Sequence, residues 1–416
     1  MPPDPGRSEI DQHRFLVDCW WAGVESVKGR IAAHGALSQY GPRKIDRLLA
    51  VGKAASSMCI GAVPHLGPET KCLMITKYGH VDRRLLGDRR FEIIESAHPV
   101  PDKKSLVAGA RAIDFVESVS PDHSLVLLVS GGASALVEVL PEGLGLEFLS
   151  RLTDTMLASG FDIGRINAVR TRISRIKGGK LLARCRSRSI HAFLISDVAS
   201  DDPGVIGSGV GSSAPAARDD TAIPDKIESM LADAGLTARG DDPAPLSRSY
   251  TGRIIASNTV ARAASERFAR SAGLDIVLNE ESLHGDIHDV VRRVSGSILN
   301  GPPGVYIFGG EPTVVLPPDP GKGGRMQHLA LEMARCIRGR NDIGLIAAGT
   351  DGTDGPTDAA GGIVDGSLFG RRADGNAALG AADSGTFLRQ ADGLFVTGPT
   401  GTNVMDLVIA LKRTVP

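Results

Sequence analysis

Short apolar runs followed by glycine, serine or aspartate recur along this 416-residue chain. The first, residues 47–51 (Arg-Leu-Leu-Ala-Val), runs straight into Gly52-Lys53-Ala54-Ala55-Ser56-Ser57-Met58. A short apolar strand, a glycine and a small-residue helix is how an α/β unit begins. The pattern returns at 73–77 and 91–96. It is cleanest at 124–129 (Ser-Leu-Val-Leu-Leu-Val), which ends in Ser130-Gly131-Gly132-Ala133-Ser134. Another strand over 191–196 ends at Asp197. Apolar positions at helical spacing predict helices over 8–36, 103–118, 145–160 and 166–184. Strands alternating with helices predict a largely parallel sheet covered on both faces.

Residues 199–250 break this rhythm. Asp201-Asp202-Pro203-Gly204 is rich in turn formers, and Pro215, Pro224, Pro243 and Pro245 punctuate the rest of the stretch. The boundary is therefore placed to give domains 1–245 and 246–416. A second α/β series comes next, with strands at 253–256, 275–278, 304–308, 343–348 and 393–396, and a last helix after Asn403. The chain length suits two or three domains.

Composition narrows the function classes. At 42% hydrophobic and 23% charged, the chain can bury a real core. A formal net charge of −1 gives no global field for nucleic acid or acidic membranes, and 4% aromatics leaves little for base stacking. No apolar run reaches transmembrane length. Cys19, Cys59, Cys72, Cys185 and Cys336 are dispersed without CxxC spacing, which points to a reduced, cytoplasmic setting.

The chemistry is concentrated where strands end. Lys53 follows a glycine at a helix start, where a cation opposes the helix dipole and an anion would justify it. Ser130, Gly131, Gly132 and Ser134 offer backbone donors and hydroxyls for a phosphate or carboxylate. Asp197 could hold Mg²⁺ or accept a hydroxyl proton. The run 305–308 ends in Gly309-Gly310-Glu311, and Gly321-Lys322-Gly323-Gly324-Arg325 then opens a helix whose N-terminus favours an anion. Glu311 could reach a metal through water or pair with an arginine. Asp351, within the Asp-x-x-Asp loop 349–362, has some features of a calcium loop but lacks the full EF-hand pattern. Thr400 and Asn403 bring hydroxyl and amide groups to the loop after the 393–396 strand. A lone His98 beside Pro99 is more often structural. Glycine-rich cradles, two basic residues and strand-end carboxylates suit phosphoryl transfer, where positioning and charge neutralisation do most of the work. No G-x-G-x-x-G follows the first strand, and the second ends in Lys77 rather than an acid, which argues against a dinucleotide oxidoreductase.

Taken together, VGKAASSM, AHPVPD, SGGASAL, IKGGKL, SDVASDDPGVIGSG, GGEPTVV, GKGGRMQHLAL, GTDGTDGPTDAAGG and TGPTGTN resemble the glycerate 2-kinase family, some of whose members are labelled hydroxypyruvate reductases. These stretches span residues 51–403. The resemblance implies a Rossmann-like α/β/α N-terminal domain, a smaller α/β C-terminal domain, and an active site in the cleft between them. It implies ATP and Mg²⁺ as cofactors and a small hydroxy acid, D-glycerate, as substrate; no nucleic-acid or membrane partner is expected, and a homodimer is left open. By resemblance Lys53 and Arg325 neutralise charge on the transferring phosphoryl group, the Ser130–Ser134 loop binds phosphate or substrate, and Asp197 is base or metal ligand. Reductase activity and a weakened, anion-binding family member are the alternatives.

The chain departs from the family pattern at four places. Gly324-Arg325 continues Met326-Gln327-His328 where Asn-Gln-Glu is usual. Asn403-Val404-Met405-Asp406 replaces Asn-Val-Asn-Asp. Gly209-Val210-Gly211 and Gly285-Asp286-Ile287 replace Gly-Pro-Thr and Gly-Glu-Ala. Methionine cannot supply an amide's hydrogen bonds, so these changes predict either a site retuned for another sugar acid or side chains that face the core.

Overall fold

The structure, a computed structural model, describes residues 11–42, 44–161, 163–213, 223–236 and 249–414. These form two compact units. One lies within Lys28–Ala256; the other joins the segment ending at Val27 to the segment beginning at Ser257. The boundary expected at 245/246 lies outside the described residues, as do Pro215, Pro243 and Pro245.

The first unit is built on six parallel strands: β1 (Arg47–Val51), β2 (Lys71–Lys77), β3 (Phe91–Ser96), β4 (Ser124–Val129), β5 (Ser189–Ile195) and β6 (Ser249–Ala256). Their spatial order is β3-β2-β1-β4-β5-β6. Every residue of β4 is buried and β1 is buried but for Arg47, as continuous apolar runs in a two-sided parallel sheet should be. Winding reverses between neighbours β1 and β4, which pair from Arg47↔Leu125 to Val51↔Val129. Open α/β sheets bind ligands outside the carboxyl ends of their strands at such a switch point.

Several expected elements differ. The strand expected to open the second domain is β6, which completes the first sheet by pairing with β5. The helix expected over 8–36 is two helices, Gln12–Ser26 and Gly29–Tyr40, and residues 8–10 lie outside the described residues. The first of them belongs to the other unit, where buried Trp20 meets Phe395 edge-on at 5.1 Å. The helix expected over 166–184 ends at Ile173. Gly178 and Gly179 then take φ of 60° and 84°, the left-handed region open to glycine, and a short helix follows over Lys180–Ala183. Just before that turn, fully buried Lys177 pairs with equally buried Glu138.

The second unit carries β7 (Ile276–Glu281), β8 (Gly285–Asp286), β9 (Gly304–Gly310), β10 (Pro312–Thr313), β11 (Ile343–Gly349), β12 (Gly361–Asp365), β13 (Leu394–Phe395) and β14 (Asp406–Lys412). Six of them form a mixed sheet in the order β13-β12-β11-β14-β9-β7; β8 and β10 pair separately. The helix expected after Asn403 is therefore β14, a fully buried strand antiparallel to both neighbours. A short apolar run such as Leu-Val-Ile-Ala-Leu does not distinguish helix from central strand by periodicity alone. β12 begins at the last two residues of what the sequence presents as the 349–362 loop. Its Gly361 is explained by close approach, because a Cβ there would stand 1.9 Å from the Ala347 carbonyl. Among the described residues, no helix is long and apolar enough to cross a membrane.

Candidate active site

In the first unit the strand-end loops are laced together at the switch point. The Lys53 N–H donates to the Gly131 carbonyl at 2.9 Å, the Ser130 N–H to the Val51 carbonyl at 3.0 Å, and the Ala54 N–H to Ser130 Oγ at 3.0 Å. Gly52 has φ 138°, and a Cβ there would lie 2.1 Å from Ser130 Oγ. The turn thus requires glycine and brings β1 and β4 into contact.

Three candidate groups then converge. A Cβ on Gly131 would stand 1.8 Å from Asp197 Oδ2, so the carboxylate lies directly against the Gly131 backbone. A Cβ on Gly132 (φ 83°) would meet both Lys53 Cγ and His98 Cδ2 at 2.9 Å. Lys53, Asp197 and His98 therefore surround one glycine turn, reaching it from the ends of β1, β5 and β3. Burial, reinforced by the charges of Lys53 and Lys77, pulls the His98 pKa down to about 4, so the imidazole is neutral at physiological pH. The sequence marked His98 as a bland loop residue; its place beside Lys53 emerges only in the fold. Two hydroxyls expected to face a ligand also accept hydrogen bonds from within the protein. Ser130 is 2% exposed and accepts from Ala54, and Ser134 accepts from Ser208 Oγ at 2.9 Å.

In the second unit Arg325 begins the Arg325–Cys336 helix, as expected. Its guanidinium pairs with Glu311 at the end of β9 and lies 3.5 Å from Asp406 Oδ2 at the start of β14. Burial opposes the charge, but Asp406, Glu311 and Asp354 outweigh it and hold the Arg325 pKa above its ordinary value. Asp406 shifts strongly upward: burial dominates, and Asp354, Glu311 and Asp351 add repulsion that Arg325 offsets only in part. Asp351 Oδ1 accepts from the Thr353 N–H at 3.0 Å. A Cβ on Gly349 would lie 3.3 Å from Asp406 Oδ1 and 3.5 Å from Asp351 Oδ1, so these carboxylates flank a single point.

The expected anion cradle at Gly323–Gly324 is corrected by Asp354, a residue that its motif alone did not single out. The N–H groups of Met326 and Gln327 donate to the two Asp354 carboxylate oxygens at 3.1 and 2.8 Å, and Gln327 Nε2 adds a third bond at 3.0 Å. A Cβ on Gly324 would lie 2.3 Å from the Asp354 carboxyl carbon. The helix N-terminus that could hold a phosphate is thus filled by the protein's own carboxylate, an ion suited to that end of the dipole. Asp354→Ala leaves the buried N–H groups of Met326 and Gln327 without an acceptor, while Gln327 Nε2 keeps the Asp354 carbonyl and Thr357 Oγ1. It is expected to lower stability by roughly 3 kcal/mol in urea unfolding, with a smaller loss for Asp354→Asn.

Thr400 is also structural: its buried Oγ1 donates to the Thr350 carbonyl at 2.6 Å. Asn403 Oδ1 accepts from the Met405 N–H at 3.2 Å. The unusual residues divide by environment. Met326 is 0% exposed within the apolar core of its unit, and Met405 is buried at φ 67°. His328 is buried too, with Nδ1 3.3 Å from Ser384 Oγ, and burial pulls its pKa down to about 4. The core-facing explanation therefore accounts for Met326, whereas Met405, next to Asp406, is buried at a left-handed backbone angle that the usual asparagine adopts more readily.

Residues 16–238 match a domain of unknown function, DUF4147, and residues 304–406 match the MOFRL family. A D-glycerate 2-kinase from Thermotoga maritima is 36% identical, covering 93% of this chain and 97% of that protein. A glycerate 2-kinase from Pyrococcus horikoshii is also 36% identical, covering 88% of this chain and 86% of that one. The crystal structure of a glycerate kinase from Thermotoga maritima superposes with a TM-score of 0.83 at 33% identity, covering 96% of this chain and 99% of that one.

Proposed function

The chain belongs to the glycerate 2-kinase family, and from that premise we propose that it transfers the terminal phosphoryl group of ATP to the 2-hydroxyl of D-glycerate, giving ADP and 2-phosphoglycerate. The observation that carries this reading is the 36% identity to a D-glycerate 2-kinase across 93% of the chain, which takes in both units. The bond from the glycerate oxygen to phosphorus forms as the bond from phosphorus to the ADP oxygen breaks, and the hydroxyl proton passes to Asp197. Lys53 and Arg325 neutralise the charge gathered on the phosphoryl oxygens, which is most of what a protein can contribute to such a transfer. His98, neutral beside Lys53, leaves that lysine as the cation of its turn.

Mg²⁺ fits the residues present. Asp406 Oδ2 is buried without a hydrogen-bond partner, and Asp351 shares with Asp406 the point beside Gly349. Among the described residues no three His, Cys, Asp or Glu side chains form an all-protein cage, but Mg²⁺ needs none, because it keeps waters and takes phosphate oxygens. Asp351, beside Asp406, would hold it, and when bound it would neutralise phosphate charge.

Gly131→Ala tests the Asp197 assignment. The new methyl would displace the carboxylate from the turn, so kcat is expected to fall roughly 10²-fold, the scale of losing a positioned acid–base group. The circular-dichroism melt should stay near wild type. An unchanged kcat would remove Asp197 from proton transfer. The reductase alternative is tested by NADH absorbance with hydroxypyruvate, where no consumption is expected. Phosphorus NMR of the glycerate product should show the phosphate on C2.

A further inference from the structure

The acidic partners of Arg325 are themselves held by a buried asparagine. Asn258 opens the helix Asn258–Ser271 in the second unit and is 1% exposed. Its Nδ2 donates to two carbonyls, those of Val404 and Asp406, both at 3.0 Å. Its Oδ1 accepts from Arg262 Nε at 2.9 Å. Carbonyls only accept and a guanidinium only donates, so these neighbours fix which way the amide points. Arg262 is buried too, and its NH1 donates to Asn279 Oδ1 at 2.6 Å, which gives the guanidinium a fixed seat. Asn258 Oδ1 also rests against β9, where a Cβ on Gly309 would stand 1.7 Å away. One amide thus touches the end of the strand that leads to Glu311 and the start of the strand that carries Asp406. These two carboxylates are the ones that meet Arg325.

The carbonyls that Asn258 holds flank Met405, whose φ of 67° lies in the left-handed region. That backbone is costly for a bulky side chain and milder for asparagine, which can also hydrogen-bond locally. Methionine brings no such group, so the turn depends on clamps from elsewhere. Thr350 Oγ1 donates to the Met405 carbonyl at 2.6 Å, and Asn258 takes the carbonyls on either side. Asp406 is the next residue. Relaxation of the turn would carry its buried carboxylate away from the Arg325 guanidinium, which lies 3.5 Å from it.

We propose that Asn258 is a positioning residue for phosphoryl transfer: it clamps the left-handed turn at Met405 and thereby sets Asp406 against Arg325. The effect on catalysis rests on the kinase reading above; the clamp does not.

Variants of the full chain test this. Asn258→Ser keeps a small polar residue at the helix start, but its hydroxyl is too short to serve both carbonyls. Its kcat for glycerate phosphorylation should fall at least roughly tenfold, with the KM for ATP and for glycerate within about threefold, because orientation is lost and binding is kept. In an Arg325→Ala background the same substitution should cost less than about twofold, since the group it positions is gone. Met405→Asn supplies a residue suited to the turn. Alone it should leave kcat within about twofold of wild type; added to Asn258→Ser it should restore at least about half of the lost melting temperature and most of the lost kcat. If Asn258→Ser does not fold by itself, folding of the Met405→Asn pair is the predicted rescue. A folded Asn258→Ser with kcat within about threefold of wild type, an equal loss in the Arg325→Ala background, or no rescue by Met405→Asn would overturn the proposal. A wild type that makes no phosphoglycerate would sink the kinase reading instead, and recovery of the melting temperature by Met405→Asn would still decide the clamp.

Discussion

Lys53→Ala is expected to lower kcat for phosphoryl transfer roughly 10³-fold, the scale of removing a preorganised charge from a transition state. Lys53 stands at the switch point of the parallel sheet, against Gly132 and beside neutral His98. The turn that carries it is held by backbone bonds, Lys53 N–H to the Gly131 carbonyl and Ser130 N–H to the Val51 carbonyl, which the substitution leaves in place. The melting temperature should therefore stay within a few degrees of wild type while activity collapses. Lys53→Arg should rescue only part of the rate, because a planar guanidinium does not replace a compact ammonium packed on a glycine turn. A kcat within tenfold of wild type for Lys53→Ala would remove this side chain from the mechanism.

Arg325→Ala is expected to lower kcat by a similar factor, roughly 10³-fold, in line with the loss of an arginine that stabilises transferring phosphoryl charge. It should also change how stability depends on pH. Asp406 has a pKa well above its ordinary 3.8, chiefly from burial, and Arg325 is the charge that limits the rise. A carboxyl whose pKa rises on folding stabilises the folded state most at low pH, and that contribution is lost as pH climbs from the unfolded pKa toward the folded one. Without Arg325 the folded pKa rises further and the loss extends to higher pH. Melting temperatures between pH 4 and pH 8 should thus fall more steeply for Arg325→Ala than for wild type. Parallel curves would show that Arg325 does not act on Asp406.

How much of this was legible in the sequence depended on the kind of signal. Runs such as 124–129 have one reading in a covered parallel sheet, and the glycines after them mark where backbones approach closely, so Lys53, Gly131 and Asp197 stood out as candidates from spacing alone, and the fold brings them to one turn. Arg325 stood out the same way, and the resemblance set it ahead of Lys322. Leu407–Leu411 was misread because a buried central strand and a buried helix share the same composition. β6 was assigned to the wrong sheet because nothing in Arg-Ile-Ile-Ala names its pairing partner. Asp354 and Asp406 stood inside or beside the family motifs, yet their roles come from long-range contacts with Met326, Gln327 and Arg325. The hydroxyls of Ser130 and Thr400 show the same limit: spacing shows that a hydroxyl is present, and only packing shows that Ser130 Oγ accepts from Ala54 and that Thr400 Oγ1 donates to the Thr350 carbonyl. Met326 and Met405 invited a retuned site from chemistry alone; packing in the apolar core accounts for Met326 but not for Met405.

The central claim is best tested by coupled ADP release with Mg²⁺-ATP across D-glycerate, tartronate, threonate and erythronate. D-glycerate as the clear best substrate, at an ordinary kinase turnover of roughly 1–100 s⁻¹, is the predicted result. No ADP release with D-glycerate, or turnover confined to one of the other acids, would contradict it.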